Sequence, residues 1–138
     1  MSKEIKFTII ELESNTFHPL LKADFNGLEE YWWVIDSGAS KSVMEISLAQ
    51  HYLHEAIDTV MATGLGKEIV STESGKIRDV KLGGFSFGPL PVALVDFQHI
   101  NTEYSKFSDK KIIGLIGCDF LRKHKAVIDF GKSIITLR

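Results

Sequence analysis

The chain has 138 residues, 44% hydrophobic, 10% aromatic and 25% charged, the profile of one globular domain able to bury roughly two-thirds of its unfolded surface. Lysine and arginine number 16 against 18 acidic side chains, a net charge of −2, which argues against a nucleic-acid partner, because displacing counterions from phosphates needs a basic face. A single cysteine, Cys118, cannot form an intrachain disulfide, and no apolar run resembles a signal peptide or nears the roughly 20 residues that cross a bilayer, so no membrane partner and a cytoplasmic location are expected.

No repeat, low-complexity tract or linker interrupts the sequence, and residues 1–138 read as a single domain. Phe7 to Leu12 predicts a first strand. Leu20 to Phe25 and Leu28 to Ile35 predict two more, joined at Asn26-Gly27; an Asn-Gly pair between apolar runs supplies the positive φ that a tight hairpin needs. Tyr31 to Ile35 is apolar without alternation, which predicts a strand covered on both faces. Met44 to Leu53 predicts a short amphipathic helix, with Met44, Leu48 and Tyr52 on one side. Further strands are predicted over Ile69 to Leu82 and Phe85 to Val95, broken at Gly83-Gly84 and Gly88-Pro89. Asn101 to Lys111 reads as a polar surface excursion with a single helical turn, and Ile112 to Ile116 as a buried strand. Asp119 to Lys125 predicts a short helix whose basic last turn suits the dipole. Ala126 to Asp129 and Ile134 to Leu137 flank a closing hairpin. Many short strands with one or two short helices predict an all-β fold, a small closed barrel.

One tetrapeptide carries chemistry. Asp36-Ser37-Gly38-Ala39 follows the apolar run Trp33-Val34-Ile35, so the acid stands at a strand end, where a loop presents it. Gly38 allows the backbone to turn back and aim an N–H at the carboxylate, and the Ser37 hydroxyl can lock the loop. Such donors in a partly dry cleft tune a carboxyl group's proton affinity.

Val34-Ile35-Asp36-Ser37-Gly38-Ala39 resembles the active-site signature of the aspartic proteases: two apolar residues, Asp, Thr or Ser, Gly and a small residue. Leu115-Ile116-Gly117, followed by Cys118-Asp119-Phe120-Leu121, resembles the family's second signature, which opens a short helix. Asn26-Gly27 stands where retroviral-type members carry their first hairpin, and Gly64-Leu65-Gly66 resembles the tip of the flap that closes over substrate. The order of these features spans nearly the whole chain and resembles the retropepsin-like, single-lobe aspartic proteases. Three departures stand out. Ser37 replaces the commoner Thr, Ser40 stands where viral enzymes carry an Asp that contacts substrate, and the stretch from Asp36 to Gly117 is long, with the excess assigned to Gln98 to Lys111.

The resemblance implies an aspartic endopeptidase that needs no cofactor and no metal. Its chemistry requires two carboxylates, one ionised to accept a proton from water and one protonated to polarise the scissile carbonyl; two close acids sharing a proton supply both states. The chain has one Asp-Ser-Gly. Asp129 also follows two apolar residues but precedes Phe130-Gly131, and reads as a hairpin-end residue; Asp119 reads as a helix-start acid. The expectation is therefore a homodimer with one Asp36 per chain on the two-fold axis, Ser37 hydroxyls bracing the loops, and a peptide or protein substrate. The alternative is a non-catalytic dimeric peptide-binding or assembly module on the same fold.

Other motifs carry less. His51 and His54 share a helix spacing but lack the His-Glu-x-x-His order and a third ligand cluster. Gly64-Leu65-Gly66-Lys67 is no phosphate loop, since Met61 and Glu68 stand at the positions of its first glycine and its Ser/Thr. Cys118 reads as a buried structural thiol, and Arg122 to Lys125 as a solvated helix end.

Overall fold

The computed structural model describes residues 1–25, 30–51, 57–63 and 71–138. In chain order the strands and helices are β1 (Lys3–Lys6), β2 (Thr8–Glu13), β3 (Thr16–Lys22), β4 (Tyr31–Ile35), β5 (Val43–Glu45), α1 (Ile46–His51), β6 (Ile57–Thr63), β7 (Ser71–Ile77), β8 (Lys81–Leu82), β9 (Phe85–Ser86), β10 (Leu90–Val95), α2 (Gln98–Tyr104), β11 (Lys111–Ile116), α3 (Cys118–Lys123), β12 (Val127–Asp129) and β13 (Ile134–Leu137).

The fold is mostly β, as composition and pattern predict, but it departs from the expected closed barrel. Among the described residues the main sheet has eight strands in the order β2-β3-β4-β11-β5-β10-β7-β6, and its edges, β2 and β6, do not meet. The physical reason lies at the chain ends. β1 pairs antiparallel with β13, and β13 with β12, in a separate three-stranded sheet, so these strands satisfy one another's backbone groups instead of bridging the large sheet's edges.

The helix expected from Met44 starts instead at Ile46, because Met44 lies in β5, and two further elements differ from their predicted extents for identifiable reasons. β3 starts at Thr16 and runs through Pro19, which the sequence reading left outside a strand. Pro19 lies where β3 is paired only with β2, because the β4 register begins at Leu20, and a residue without an N–H is tolerated on such an edge. α2 begins at Gln98, three residues before the stretch read as a polar excursion, and the described residues hold one helix more than the upper expectation. Ile100 and Tyr104, four residues apart, give α2 an apolar stripe against the sheet. The predicted hairpin at Asn26-Gly27 lies outside the described residues, as do Tyr52 and Leu53 of the first predicted helix; β3 and β4 on either side of the former do pair antiparallel, Leu20 opposite Val34.

The sheet buries two apolar clusters. The larger contains Trp33, Ile35, Met44, Ile113, Ile116 and Phe120; the smaller contains Leu20, Val34, Ile112 and Tyr104, with Trp32 and Leu115 packed against it. Alternation along β4 explains the split: Trp33 and Ile35 enter one cluster, and Trp32 and Val34 the other. The strand is thus covered on both faces, as its unbroken apolar run predicts. β11 carries a bulge at Ile113, after which Gly114 lies so close to β5 that a Cβ would overlap the Val43 carbonyl oxygen and approach Trp33 Cζ3 to 2.7 Å. Only glycine admits both the fully packed Trp33 ring and the neighbouring strand.

Candidate active site

The topology around Asp36 is specific. β4 and β11 run parallel, with Val34 opposite Leu115 and Ile35 opposite Ile116. β5 flanks β11 on its other side, antiparallel, with Val43 opposite Leu115. The chain leaving β4 must therefore cross the end of β11 to reach β5, and the crossing segment is Asp36 to Ser42. The two sequence signatures meet here. The Asp36 N–H bonds the Ile116 carbonyl at 2.9 Å and the Cys118 N–H bonds the Ala39 carbonyl at 2.8 Å.

The acid loop is a tight turn. The Ala39 N–H returns to the Asp36 carbonyl at 3.1 Å, and the Gly38 N–H donates to Asp36 Oδ1 at 3.0 Å, an Asx turn that anchors the carboxylate to its own loop. Asp36 is half-buried, Ser37 and Gly38 are exposed, and Ala39 is half-buried. Because the backbone ladder continues through the Asp36 N–H, alternation places Asp36 on the face of Val34 rather than that of Ile35. On that face lies Tyr104, whose phenol is raised above its ordinary pKa first by burial and then by the negative charge of Asp36.

Gly117 is the hinge between β11 and α3. A Cβ there would lie 2.8 Å from the Ala39 oxygen and 2.8 Å from the Lys41 carbonyl carbon and oxygen, closer than van der Waals contact allows. Its glycine is therefore required by the loop that crosses above it. Below this crossing, fully buried Ser42 is a junction that sequence reading did not find. Its hydroxyl accepts the Gly117 N–H at 2.9 Å and donates to Asp119 Oδ1 at 2.8 Å. The Ser42 N–H reaches both Asp119 oxygens, at 3.0 and 3.1 Å, and the Phe120 N–H reaches Oδ1 at 2.9 Å. Asp119 stands in the first turn of α3, as its sequence position predicts. Its partner 77 positions away left no local signal.

The remaining candidates separate cleanly. Leu115, Ile116 and Gly117 are brought to the Asp36 loop; Gly64, Leu65 and Gly66 lie outside the described residues. The strands before and after them, β6 and β7, pair antiparallel from Ile57 opposite Ile77 to Thr63 opposite Ser71. Asp129 ends β12, and its Oδ1 accepts the Lys132 N–H at 3.0 Å. Cys118 is half-buried rather than fully buried, because its thiol follows the exposed acid loop, with Sγ 3.0 Å from the Ser37 oxygen. His124 is buried between Phe87 and Phe120 with Nδ1 2.9 Å from the Arg138 oxygen. His51 closes α1, and His54 lies outside the described residues. Among the described residues no three His, Cys, Asp or Glu side chains converge as metal ligands would. A separate cleft of about 750 Å³, lined by Tyr31, Glu45, Asp96, Asn101 and Lys110, opens where β4 and β11 begin, at the far end from Asp36.

Comparison with known proteins agrees with this geometry. The family model described as aspartyl protease matches residues 21–120, which include Asp36, the crossing loop and Gly117. The crystal structure of the retroviral protease-like domain of Ddi1 from Leishmania major superposes with a TM-score of 0.58 at 23% identity, covering 86% of each chain. That of a retropepsin-like aspartic protease from Rickettsia conorii gives a TM-score of 0.54 at 16% identity, covering 99% of this chain and 92% of the other. No curated protein matches the sequence. With its matched span covering most of its length and its strands arranged as in these structures, the chain belongs to the aspartyl protease family and has a retropepsin-like fold.

Proposed function

We propose that the protein is an aspartic endopeptidase that works as a homodimer, each chain supplying one Asp36. The observation that carries this reading is the contrast among its acids. Asp36 stands half-buried on an exposed loop at a strand end, whereas Asp119 is bound into the Ser42 junction and Asp129 into a hairpin. A chain with one acid so placed acquires a second from a symmetric copy, because an isologous interface sets the same residue on both sides of its axis.

In this mechanism the two carboxylates share one proton. The ionised one takes a proton from a water molecule as the water oxygen attacks the scissile carbonyl carbon; the protonated one donates a hydrogen bond to the carbonyl oxygen. The tetrahedral intermediate collapses as the amide nitrogen receives a proton from the dyad, breaking the C–N bond and returning the shared proton. No acyl-enzyme forms. Ser37 and Gly38 hold the loop, and the segment Gly64 to Gly66 closes over an extended peptide and excludes water. No metal or cofactor takes part. The reading includes a cytoplasmic location, in keeping with a chain whose single cysteine cannot form an intrachain disulfide.

The test is incubation of the purified chain with a mixed peptide library from pH 4 to 7, with and without a hydroxyl-bearing transition-state mimic, beside sedimentation. Cleavage that the mimic blocks, that Asp36→Asn abolishes and that accompanies dimer formation is the expected result. Peptide binding without turnover assigns the chain to a non-catalytic binding module instead. A chain that remains monomeric at high micromolar concentration, with or without peptide, overturns the dyad.

A further inference from the structure

The excess length between the two signatures is placed where it bears on the site. α2 covers the sheet face that carries Asp36, and its apolar stripe ends at Tyr104, which is 7% exposed and packs with Val34, Leu20 and Ile112. Val34 lies two residues before Asp36 and faces Leu115 across the β4–β11 ladder. The His18 ring meets the Tyr104 ring edge-on at 5.7 Å between centroids. Tyr104 therefore fills the apolar space beside Val34, on the sheet face that carries Asp36.

The helix is fixed there. The Asn101 side chain bonds the Ile112 backbone both ways, donating to its carbonyl at 3.0 Å and accepting its N–H at 2.6 Å, so it replaces a strand neighbour at that position. At the start of α2 the buried Glu45 carboxylate accepts the Phe97 N–H and, through its other oxygen, the Ser47 N–H at 3.3 Å and hydroxyl at 3.2 Å. A helix tied at its start and again at its middle residue is a wall, not a gate.

We propose that Tyr104 is a specificity-determining residue of the peptide-cleaving site: it walls the apolar face beside Asp36 and restricts the substrate side chain placed there to small ones. This rests on the endopeptidase reading above. A substrate bound at Asp36 lays one side chain flanking the scissile bond toward Val34 and Leu115, and the Tyr104 ring has already taken the volume that a large side chain needs. Truncating the ring opens that volume. Even a single methylene more or less in an apolar pocket shifts substrate preference by about 10–200-fold.

The experiment compares kcat/KM for paired peptides that differ only by Ala or Phe next to the scissile bond. The unaltered protein prefers the Ala peptide. Tyr104→Ala raises the Phe-to-Ala ratio by at least about tenfold, and Tyr104→Phe, which keeps the ring, leaves it unchanged. Tyr104→Leu, which retains much of the apolar fill, gives an intermediate ratio and carries the test if Tyr104→Ala does not melt cooperatively. Cleavage that Asp36→Asn abolishes, with the same ratio in Tyr104→Ala and Tyr104→Leu, overturns this inference and leaves the endopeptidase standing. No cleavage by the unaltered protein overturns both.

Discussion

Asp36 and Asp119 stand at the two strand ends of one junction, yet their surroundings are opposite. Asp36 follows β4, half-buried on an exposed loop, and its carboxylate takes the Gly38 N–H. Asp119 follows β11 by a turn of helix, and its oxygens take the Ser42 hydroxyl, the Ser42 N–H and the Phe120 N–H. The first carboxylate has lone pairs left for a reacting partner, and the second has spent its own on holding the crossing loop to α3. The contrast separates two uses of an acid: Asp36 keeps oxygens free for a partner, while Asp119 ties the crossing loop to α3.

The sharpest way to break this contrast is to neutralise each acid. Asp36→Asn should lower kcat/KM for peptide cleavage by about 10²–10⁴-fold, the usual worth of a positioned acid–base group, while its urea midpoint stays at that of the unaltered protein. Asp119→Ala should do the reverse: removing it strands the Ser42 hydroxyl and two backbone N–H groups, at a cost of about 2–4 kcal/mol in urea unfolding. Equal destabilisation by both substitutions removes the distinction. Gly117→Ala probes the crossing itself. Its new methyl meets three backbone atoms at 2.8 Å, and since backbone cannot rotate aside, the loss should be about 1–3 kcal/mol by the same measurement. The smallest effect belongs to an acid remote from the site. Asp79 is held below its ordinary pKa first by the Ser86 hydroxyl and then by the Gly88 N–H, 2.9 Å away. Its ionised form therefore stabilises the fold above the unfolded value of 3.8, and that contribution is lost as pH falls through the lower folded value. Asp79→Asn should narrow the stability difference between pH 6 and strong acid, read by thermal melting, without changing the peptide profile.

Much of this was legible along the chain. The unbroken run Tyr31 to Ile35 announced a strand covered on both faces, and Trp33 and Val34 do enter different clusters. The acid loop and Gly117 were recognisable from residue types, because a strand-end acid, a turn glycine and a hinge glycine are local requirements. α2 was underestimated: its polar residues other than Asn101 face outward, and its stripe of Ile100 and Tyr104 has meaning only with a sheet beneath it. The closed barrel was expected because many short strands commonly close, but which strands become edges depends on pairings between distant segments, here β1 with β13.

What the amino-acid order determined by itself is the set of local commitments: which apolar runs become strands, which residue at a strand end is an acid, and which positions must lack a side chain. These follow from backbone sterics and from the two-residue period of a strand, which act between near neighbours. Only the tertiary structure decided that Ser42 and Asp119, 77 positions apart, form one junction, that the large sheet stays open, and that Tyr104 packs against Val34. Each of these is a contact between remote segments, fixed by how two apolar faces and the last unpaired polar groups find partners in space, and no window of sequence holds that information.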